Sequence, residues 1–418
     1  MFSVTSLGFL PFMALFVCLW YRVPQPSRWK LVLAANAVFC LSIDIGAFFA
    51  VALATAVVWQ AAQHAQPEQL SRRGWLALGL AAALLPLLVL KYSGMLVPGL
   101  RDLYKPFGLA YYSLQLAGYL LDVWHGRTVP TPSYARLWCY AGFFLSLTQG
   151  PFNRYNTLMP QLEAAPKTFE TQRLVSGLQR SAWGYFKKFA IADRAAIVVS
   201  AAFTDPASFD RSQLIFATVM YSFQLYADFS GYTDIVLGMG EILGLHLPEN
   251  FRQPFLSASV KELWARWHIS LSQWFRDYVY IPLGGNRVSV LRWCFNMFVV
   301  WLLSGLWHGA GWNFALWGLY FGAFLSAEKL IGRKWKERSF KIADVSANND
   351  SNGGNRENMF LTCVRNIIEH GYVLLVVLFS FVIFRVEGVR EIKEQFLGLS
   401  GCYGNAMTPM AAYEIKSC

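Results

Sequence analysis

Charge is scarce in this chain, and that scarcity identifies its solvent. Only 15% of the 418 residues are Asp, Glu, Lys or Arg, against roughly 25% in soluble globular proteins, so too few polar side chains exist to face water on all sides. Cysteine is sparse and scattered: seven residues form no Cys-x-x-Cys pair and no metal-ligand spacing, so no metal site is expected. Cys18, Cys40, Cys139 and Cys294 lie within or beside apolar segments and read as small packing residues. The familiar soluble catalytic signatures are also missing. There is no Gly-x-Ser-x-Gly elbow, no His-Glu-x-x-His, no Walker loop and no dinucleotide fingerprint. No internal repeat is visible, which counts against a transporter built from paired halves.

What remains is apolar. Hydrophobic residues make up 55% of the chain and aromatics 16%, and the mean hydropathy is +0.35. Apolar runs recur at 7–20, 30–41, 45–59, 75–90, 107–121, 137–147, 177–201, 214–243, 293–307, 312–327 and 367–384, several close to the ~20 residues that cross ~30 Å of hydrocarbon. The run at 177–201 is the weakest, because Arg180, Lys187, Lys188, Asp193 and Arg194 interrupt it. The pattern predicts an all-α, polytopic membrane bundle of ten or eleven transmembrane or re-entrant helices, forming one membrane-embedded domain over 1–418.

The first run lacks the basic leader of a signal peptide and is expected to stay as a helix. Arg22, Arg28 and Lys30 follow it, so the positive-inside rule puts the N-terminus outside. Arg72, Arg73 and the cluster Arg333, Lys334, Lys336, Arg338 and Lys341 mark further cytoplasmic loops. The net charge of +11 therefore reads as topology and attraction to anionic lipid, and not as nucleic-acid binding. A polar, Asn- and Gly-rich stretch at 344–358 predicts a flexible loop, so 332–365 is expected to be a basic, disordered cytoplasmic loop. The tail at 399–418 is too polar and too short to span.

Residues 293–327 carry no charge at all, and His308 sits near their middle. An ionisable group at membrane depth is a functional candidate by default; the alternative is a packed, hydrogen-bonded core histidine. As one helix this run would be ~52 Å long, far more than the bilayer core. Gly305, Gly309 and Gly311 beside His308 predict the break, with each half short for a full span and the junction at membrane depth. A neutral imidazole in a cavity there accepts a proton from a hydroxyl as that hydroxyl attacks an acyl carbon.

Upstream, 246–292 is the least lipid-like region. Pro248 and Pro254 enclose polar residues and predict an ordered turn or a re-entrant loop, not a span. From Lys261 onward, Trp264, Trp267, His268, Leu271, Trp274, Phe275 and Tyr278 recur at helical steps on one face, with Arg266, Ser270, Gln273 and Asp277 opposite. His268 thus belongs to an aromatic face, where a structural imidazole is the commoner reading. Asp228 and Asp234 are the notable carboxylates of the run 214–243, and are expected in structural ion pairs with arginines such as Arg266 or Arg276; Gly231 is a candidate break between them.

Five stretches together resemble the membrane-bound O-acyltransferase family, in its bacterial alginate O-acetylation branch. They are Tyr226-Ala-Asp-Phe-Ser-Gly-Tyr-Thr-Asp234, Asn250-Phe-Arg-Gln-Pro-Phe255, the segment from Trp264 through Arg266-Trp267-His268 to Asp277, Pro282-Leu-Gly-Gly-Asn-Arg287, and Gly305-Leu-Trp-His-Gly-Ala-Gly-Trp-Asn313. Weaker matches at Tyr111-Tyr-Ser-Leu-Gln115 and Gln149-Gly-Pro-Phe-Asn-Arg154 extend the family core over 107–328. The resemblance implies a helix bundle with a central funnel or tunnel, His308 as catalytic residue and His268 as the branch's second characteristic histidine. Asn313, Trp307, Trp267, Arg252, Arg266, Arg276 and Arg287 are the candidate substrate-binding residues, the arginines for the donor's phosphates.

Members of the branch act in the bacterial cytoplasmic membrane, with no bound cofactor and with acetyl-CoA as implied donor. A separate periplasmic or extracellular SGNH-type acetyltransferase completes delivery to a surface polysaccharide. The related teichoic-acid D-alanylation proteins use a carrier-protein thioester, which leaves D-alanyl transfer as an alternative. A channel or flippase passing a polar substrate without chemistry is the alternative of another class. Many members carry a further hydrophobic segment where this chain has 401–418, which puts the docking surface for a partner in question.

Overall fold

The computed structural model describes residues 3–67, 71–97, 106–166, 168–346, 355–386 and 388–401. The helices are α1 (Phe9–Arg22), α2 (Arg28–Ile43), α3 (Ile45–His64), α4 (Arg72–Leu96), α5 (Leu109–Trp124), α6 (Tyr134–Ala141), α7 (Tyr155–Ala164), α8 (Thr171–Phe186), α9 (Asp193–Thr204), α10 (Arg211–Ile242), α11 (Val260–Arg266), α12 (Ile269–Phe275), α13 (Val290–His308), α14 (Trp312–Ser346), α15 (Asn355–Arg385) and α16 (Val389–Ser400). Among the described residues there is no strand, only an isolated antiparallel bridge between Phe251 and Trp267. Five stretches are long and apolar enough to cross a bilayer: Ile45–His64, Arg72–Met95, Val290–His308, Trp312–Gly332 and Cys363–Arg385, with Phe9–Arg22 a shorter apolar helix. The protein is an all-α, multi-pass membrane bundle.

Two compact units divide the chain, one made of 1–192 with 226–250 and the other of 193–225 with 251–418. In the first, Phe9, Phe12, Phe16, Phe39 and Phe144 share a ring cluster, with Phe16 and Phe144 in edge contact at 5.2 Å. The run 137–147 is helical only to Ala141. Fully buried Asn36 explains the stop: its Nδ2 donates to the Cys139 carbonyl at 2.9 Å and its Oδ1 accepts from the Phe144 amide at 2.9 Å, which satisfies the turn's backbone groups without another helical turn. Arg28, read from sequence as a topology marker, is 1% exposed and donates to the Ala165 and Pro166 carbonyls at 3.1 and 2.7 Å.

The charged run at 177–201 is an inside-out helix. Val175, Leu178, Trp183, Phe186 and Phe189 are exposed while Gly177, Ser181, Gly184 and Lys187 are buried, so the apolar face is the one turned outward. A π-helical turn, Lys187–Ala192, follows α8. α10 runs through Gly231 unbroken, contrary to the candidate break there. Instead Gly231 lets two backbones meet, since a Cβ added there would lie 2.8 Å from the Gly184 carbonyl oxygen. Asp228 and Asp234 do form ion pairs, but not with the arginines expected from sequence. Lys188 bonds Asp228 at 2.5 Å; Asp234 holds Lys187 and, at 3.1 Å, Arg180, whose other nitrogen reaches Glu249 at 2.7 Å.

In the second unit α13 and α14 form a hairpin broken at Gly309–Gly311, as the glycine cluster predicts. Its helices extend beyond the uncharged run at both ends, however, α13 back to Val290 and α14 on past Glu328. Each is long enough to cross, so the break closes the end of a helical hairpin and does not divide one span at mid-depth. Gly305 and Gly318 sit where a Cβ would collide with the Phe314 and Trp301 carbonyls. Gly305→Ala is therefore expected to lose about 1–3 kcal/mol of stability, read as a lower thermal midpoint in detergent. The polar loop expected over 332–365 is helical at both ends, through Ser346 and from Asn355, because its Lys-, Arg- and Glu-rich flanks are good helix formers. Its centre, 347–354, and most of the expected tail, 402–418, lie outside the described residues.

Candidate active site

The aromatic face from Trp264 to Tyr278 is buried much as its spacing implies, but it is not one helix. α11 ends at Arg266 and α12 begins at Ile269, with Trp267 extended and His268 left-handed at φ 45°. Neighbouring backbone imposes the break: the Arg252 amide donates to the Arg266 carbonyl at 2.9 Å beside the Phe251–Trp267 bridge. A left-handed non-glycine residue costs roughly 1–2 kcal/mol, and histidine is among the residues that tolerate it best. The result is that His268 stands at a corner, 2% exposed, instead of in a continuous stripe.

Glu328 fixes the start of α11, the helix that leads into that corner. Its Oε1 accepts from the Val260 amide at 2.6 Å and its Oε2 from the Lys261 amide at 3.1 Å, while Ser259 Oγ accepts from the Glu262 amide at 3.1 Å. The first-turn donors of α11 are thereby satisfied by α14 and by a local cap. In the sequence Glu328 is marked only as the first charged residue after the run 293–327.

His308, the last residue of α13, is half-buried in a shell of rings. Trp307, Trp317 and Phe384 lie 4.9, 5.2 and 5.3 Å from it, and His268 lies 6.5 Å away, centroid to centroid. The structure thus brings together the two histidines that sequence reading singled out. Burial holds His268 well below the ordinary imidazole range, and the neighbouring His308 ring acts in the same direction, so His268 is a neutral donor and acceptor.

A cavity of about 1010 Å³ opens beside them. Its inner wall carries His268, Leu271, Ser272, Trp301 and Ser304, and its other end carries Lys261, Arg276, Asn286, Lys329 and Glu369. Along α13 the lining runs from Ser304 to Trp293, the ring that Lys329 and Asn286 contact, which is about 16 Å of helix at ~1.5 Å per residue. The cavity wall includes His268 but not His308, which stands behind it. At the charged end, Asn286 Oδ1 accepts from Tyr280 at 2.6 Å and Trp293 Nε1 at 3.1 Å, and the Lys329 ammonium lies 3.7 Å over the Trp293 ring.

Other candidates take different places. Of the four arginines, only Arg276 lines the cavity; Arg266 pairs with Glu262 at 2.6 Å, and Arg252 and Arg287 are exposed outside it. Trp267 packs on Phe251 at 5.1 Å and Phe381 at 5.7 Å, away from the cavity. Trp307 is wedged against both histidines. Asn313 is 2% exposed and donates to the Phe384 carbonyl at 3.3 Å, which ties the end of α15 to the turn beside His308. Lys261 and Lys329 were not singled out in the sequence, although their places at either end of polar-to-apolar transitions were visible. No cluster of three or more His, Cys, Asp or Glu suited to a metal occurs among the described residues.

Comparison with known proteins identifies the family of the chain. Residues 125–342 match the family model of the membrane-bound O-acyltransferases. The chain is 34% identical to a probable alginate O-acetylase of Azotobacter vinelandii, over 77% of this chain and 67% of that one. It is 33% identical to the corresponding Pseudomonas fluorescens protein, over 91% and 71%, and 31% identical to a peptidoglycan O-acetyltransferase of Helicobacter pylori, over 68% and 60%. With a family match that spans both histidines and relatives similar over most of its length, the chain belongs to the membrane-bound O-acyltransferase family and is a multi-pass membrane O-acyltransferase.

Proposed function

We propose that the protein moves an acetyl group from acetyl-CoA toward a polysaccharide on the far side of the bacterial cytoplasmic membrane, with His308 and His268 as the reacting pair. The observation that carries this reading is the placement of two imidazoles 6.5 Å apart, one of them in the inner wall of a cavity whose opposite end bears Lys261, Arg276 and Lys329. Those cations suit the phosphates of a nucleotide thioester. With the basic cluster at 333–341 following Lys329 in the chain, the positive-inside rule puts that end in the cytoplasm. The apolar wall beyond accommodates the donor's arm, with the thioester at His268.

His308 serves as general base, or orients the acceptor hydroxyl, and His268 positions the acyl or acceptor group by hydrogen bonding. The 6.5 Å separation leaves room for one hydroxyl oxygen between the rings. A partner of the SGNH esterase type on the outer side then delivers the acetyl group to the polymer. The alginate and peptidoglycan named for the relatives make an exported or cell-wall glycan the acceptor class.

The test is transfer of label from acetyl-CoA to polysaccharide by purified protein in liposomes with its partner. Transfer supports the reading, and transfer from a D-alanyl carrier protein alone replaces the donor. Movement of polysaccharide without label transfer points to a channel. Within the same assay, Lys261→Gln with Lys329→Gln is expected to raise KM for acetyl-CoA by about 10-fold, as loss of charged hydrogen bonds to phosphate requires, while kcat stays within about 2-fold.

A further inference from the structure

Two hydroxyls flank the imidazole pair, and neither was singled out in the sequence. Ser304 precedes His308 by one helical turn on α13, and Ser272 follows His268 by one turn on α12. Both line the cavity. Residues four apart share a helix face, and helical side chains lean toward the N-terminus, so the His308 ring overlies the turn that carries Ser304. The Ser272 amide donates to the His268 carbonyl at 3.1 Å, which fixes Ser272 above the His268 corner. Among the described residues neither hydroxyl makes a hydrogen bond, whereas in α3, α10 and α15 the buried Thr55, Thr218 and Ser380 hydroxyls back-bond to their own helices. The hydroxyls of Ser304 and Ser272 are thus donors kept available in a mostly apolar wall.

Resting on the acyl-transfer reading above, we infer that Ser304 and Ser272 donate hydrogen bonds to the acyl carbonyl oxygen and hold the oxyanion that forms there. The acceptor oxygen bonds to the acyl carbon as an imidazole takes its proton. The carbonyl electron pair moves onto oxygen, where the two O–H groups meet it. Collapse restores C=O and breaks the C–S bond, and the departing thiolate takes the proton from the imidazolium. Each imidazole is occupied with proton transfer or with positioning in this scheme, which leaves the developing charge to other donors. In a low-dielectric wall such donors act strongly.

The experiment measures kcat and KM for acetyl-CoA in liposomes for Ser304→Ala, Ser272→Ala, the double variant and the hydroxyl-retaining Ser304→Thr, beside His308→Ala and His268→Ala. Removing one oxyanion donor costs about 10²–10³-fold in kcat where it has been measured. With two donors sharing the charge, each single variant is expected to lose at least about 10-fold and the double about 10²-fold or more. KM should stay within about 3-fold, and Ser304→Thr should retain most of the rate. A double variant with wild-type kcat overturns the inference, as does a loss confined to KM or one tracking a fall in thermal midpoint. If both histidine variants keep full activity, the acyl-transfer site itself is misplaced; if they fail while the serine double remains active, only the present inference falls.

Discussion

Transfer of acetyl to polysaccharide is expected to fall by at least about 10³-fold in His308→Ala, with the protein still inserted and present at wild-type abundance. A positioned general base contributes roughly 10²–10⁴-fold, and alanine also removes the ring that Trp307, Trp317 and Phe384 enclose. His308→Gln separates the two effects, because it keeps polar bulk at the end of α13 but cannot exchange a proton near neutral pH. If His308 works by proton transfer, Gln and Ala lose activity alike; if it only fills the shell, Gln recovers most of it. Label transfer in liposomes and membrane abundance by immunoblot decide the matter, and wild-type transfer by His308→Ala would sink the assignment. His268→Ala is the informative companion, since His268 lines the cavity and His308 does not. Loss of His268 should therefore disturb the donor side, including KM for acetyl-CoA, more than loss of His308 does.

The parts of this arrangement that could be read from sequence are those governed by chain length and period. A run of 35 uncharged residues, 293–327, exceeds the bilayer, so a break near Gly309–Gly311 was required. The aromatic spacing from Trp264 to Tyr278 likewise identified a buried face. The break at His268 was not legible, because helical periodicity carries no trace of a bridge contributed by Phe251. Nor was the depth of the hairpin turn: uncharged length undercounts a span when charged residues such as Arg292 and Lys329 extend it at its ends. Which cations line the cavity was not legible for a related reason. Arg252, Arg266 and Arg287 lie in the central motifs, whereas the lysines that line the cavity are Lys329, midway along α14, and Lys261, in the first turn of α11.

The same limit applied to Asp228 and Asp234, whose partners were sought among arginines downstream but lie on α8 and its π-helical extension. Buried charge is neutralised by whichever helix packs against it, and close approach at Gly184 and Gly231 makes that helix α8. Asp234 is the junction of the network, since it serves both Lys187 and Arg180, and Lys187 also donates to Ser230 Oγ at 3.0 Å. Asp234→Asn is therefore expected to destabilise the protein by about 3–5 kcal/mol, the cost of leaving a buried cation without its counter-charge. The readout is a lower thermal midpoint and lower membrane abundance, with activity per folded molecule much less affected. Lys187→Met added to Asp234→Asn should restore most of the loss, because Arg180 keeps Glu249 at 2.7 Å and no unpaired charge remains. If the double variant is as unstable as the single, or worse, the carboxylate has a role beyond neutralising Lys187, and the ion pair is not what holds α8 against α10.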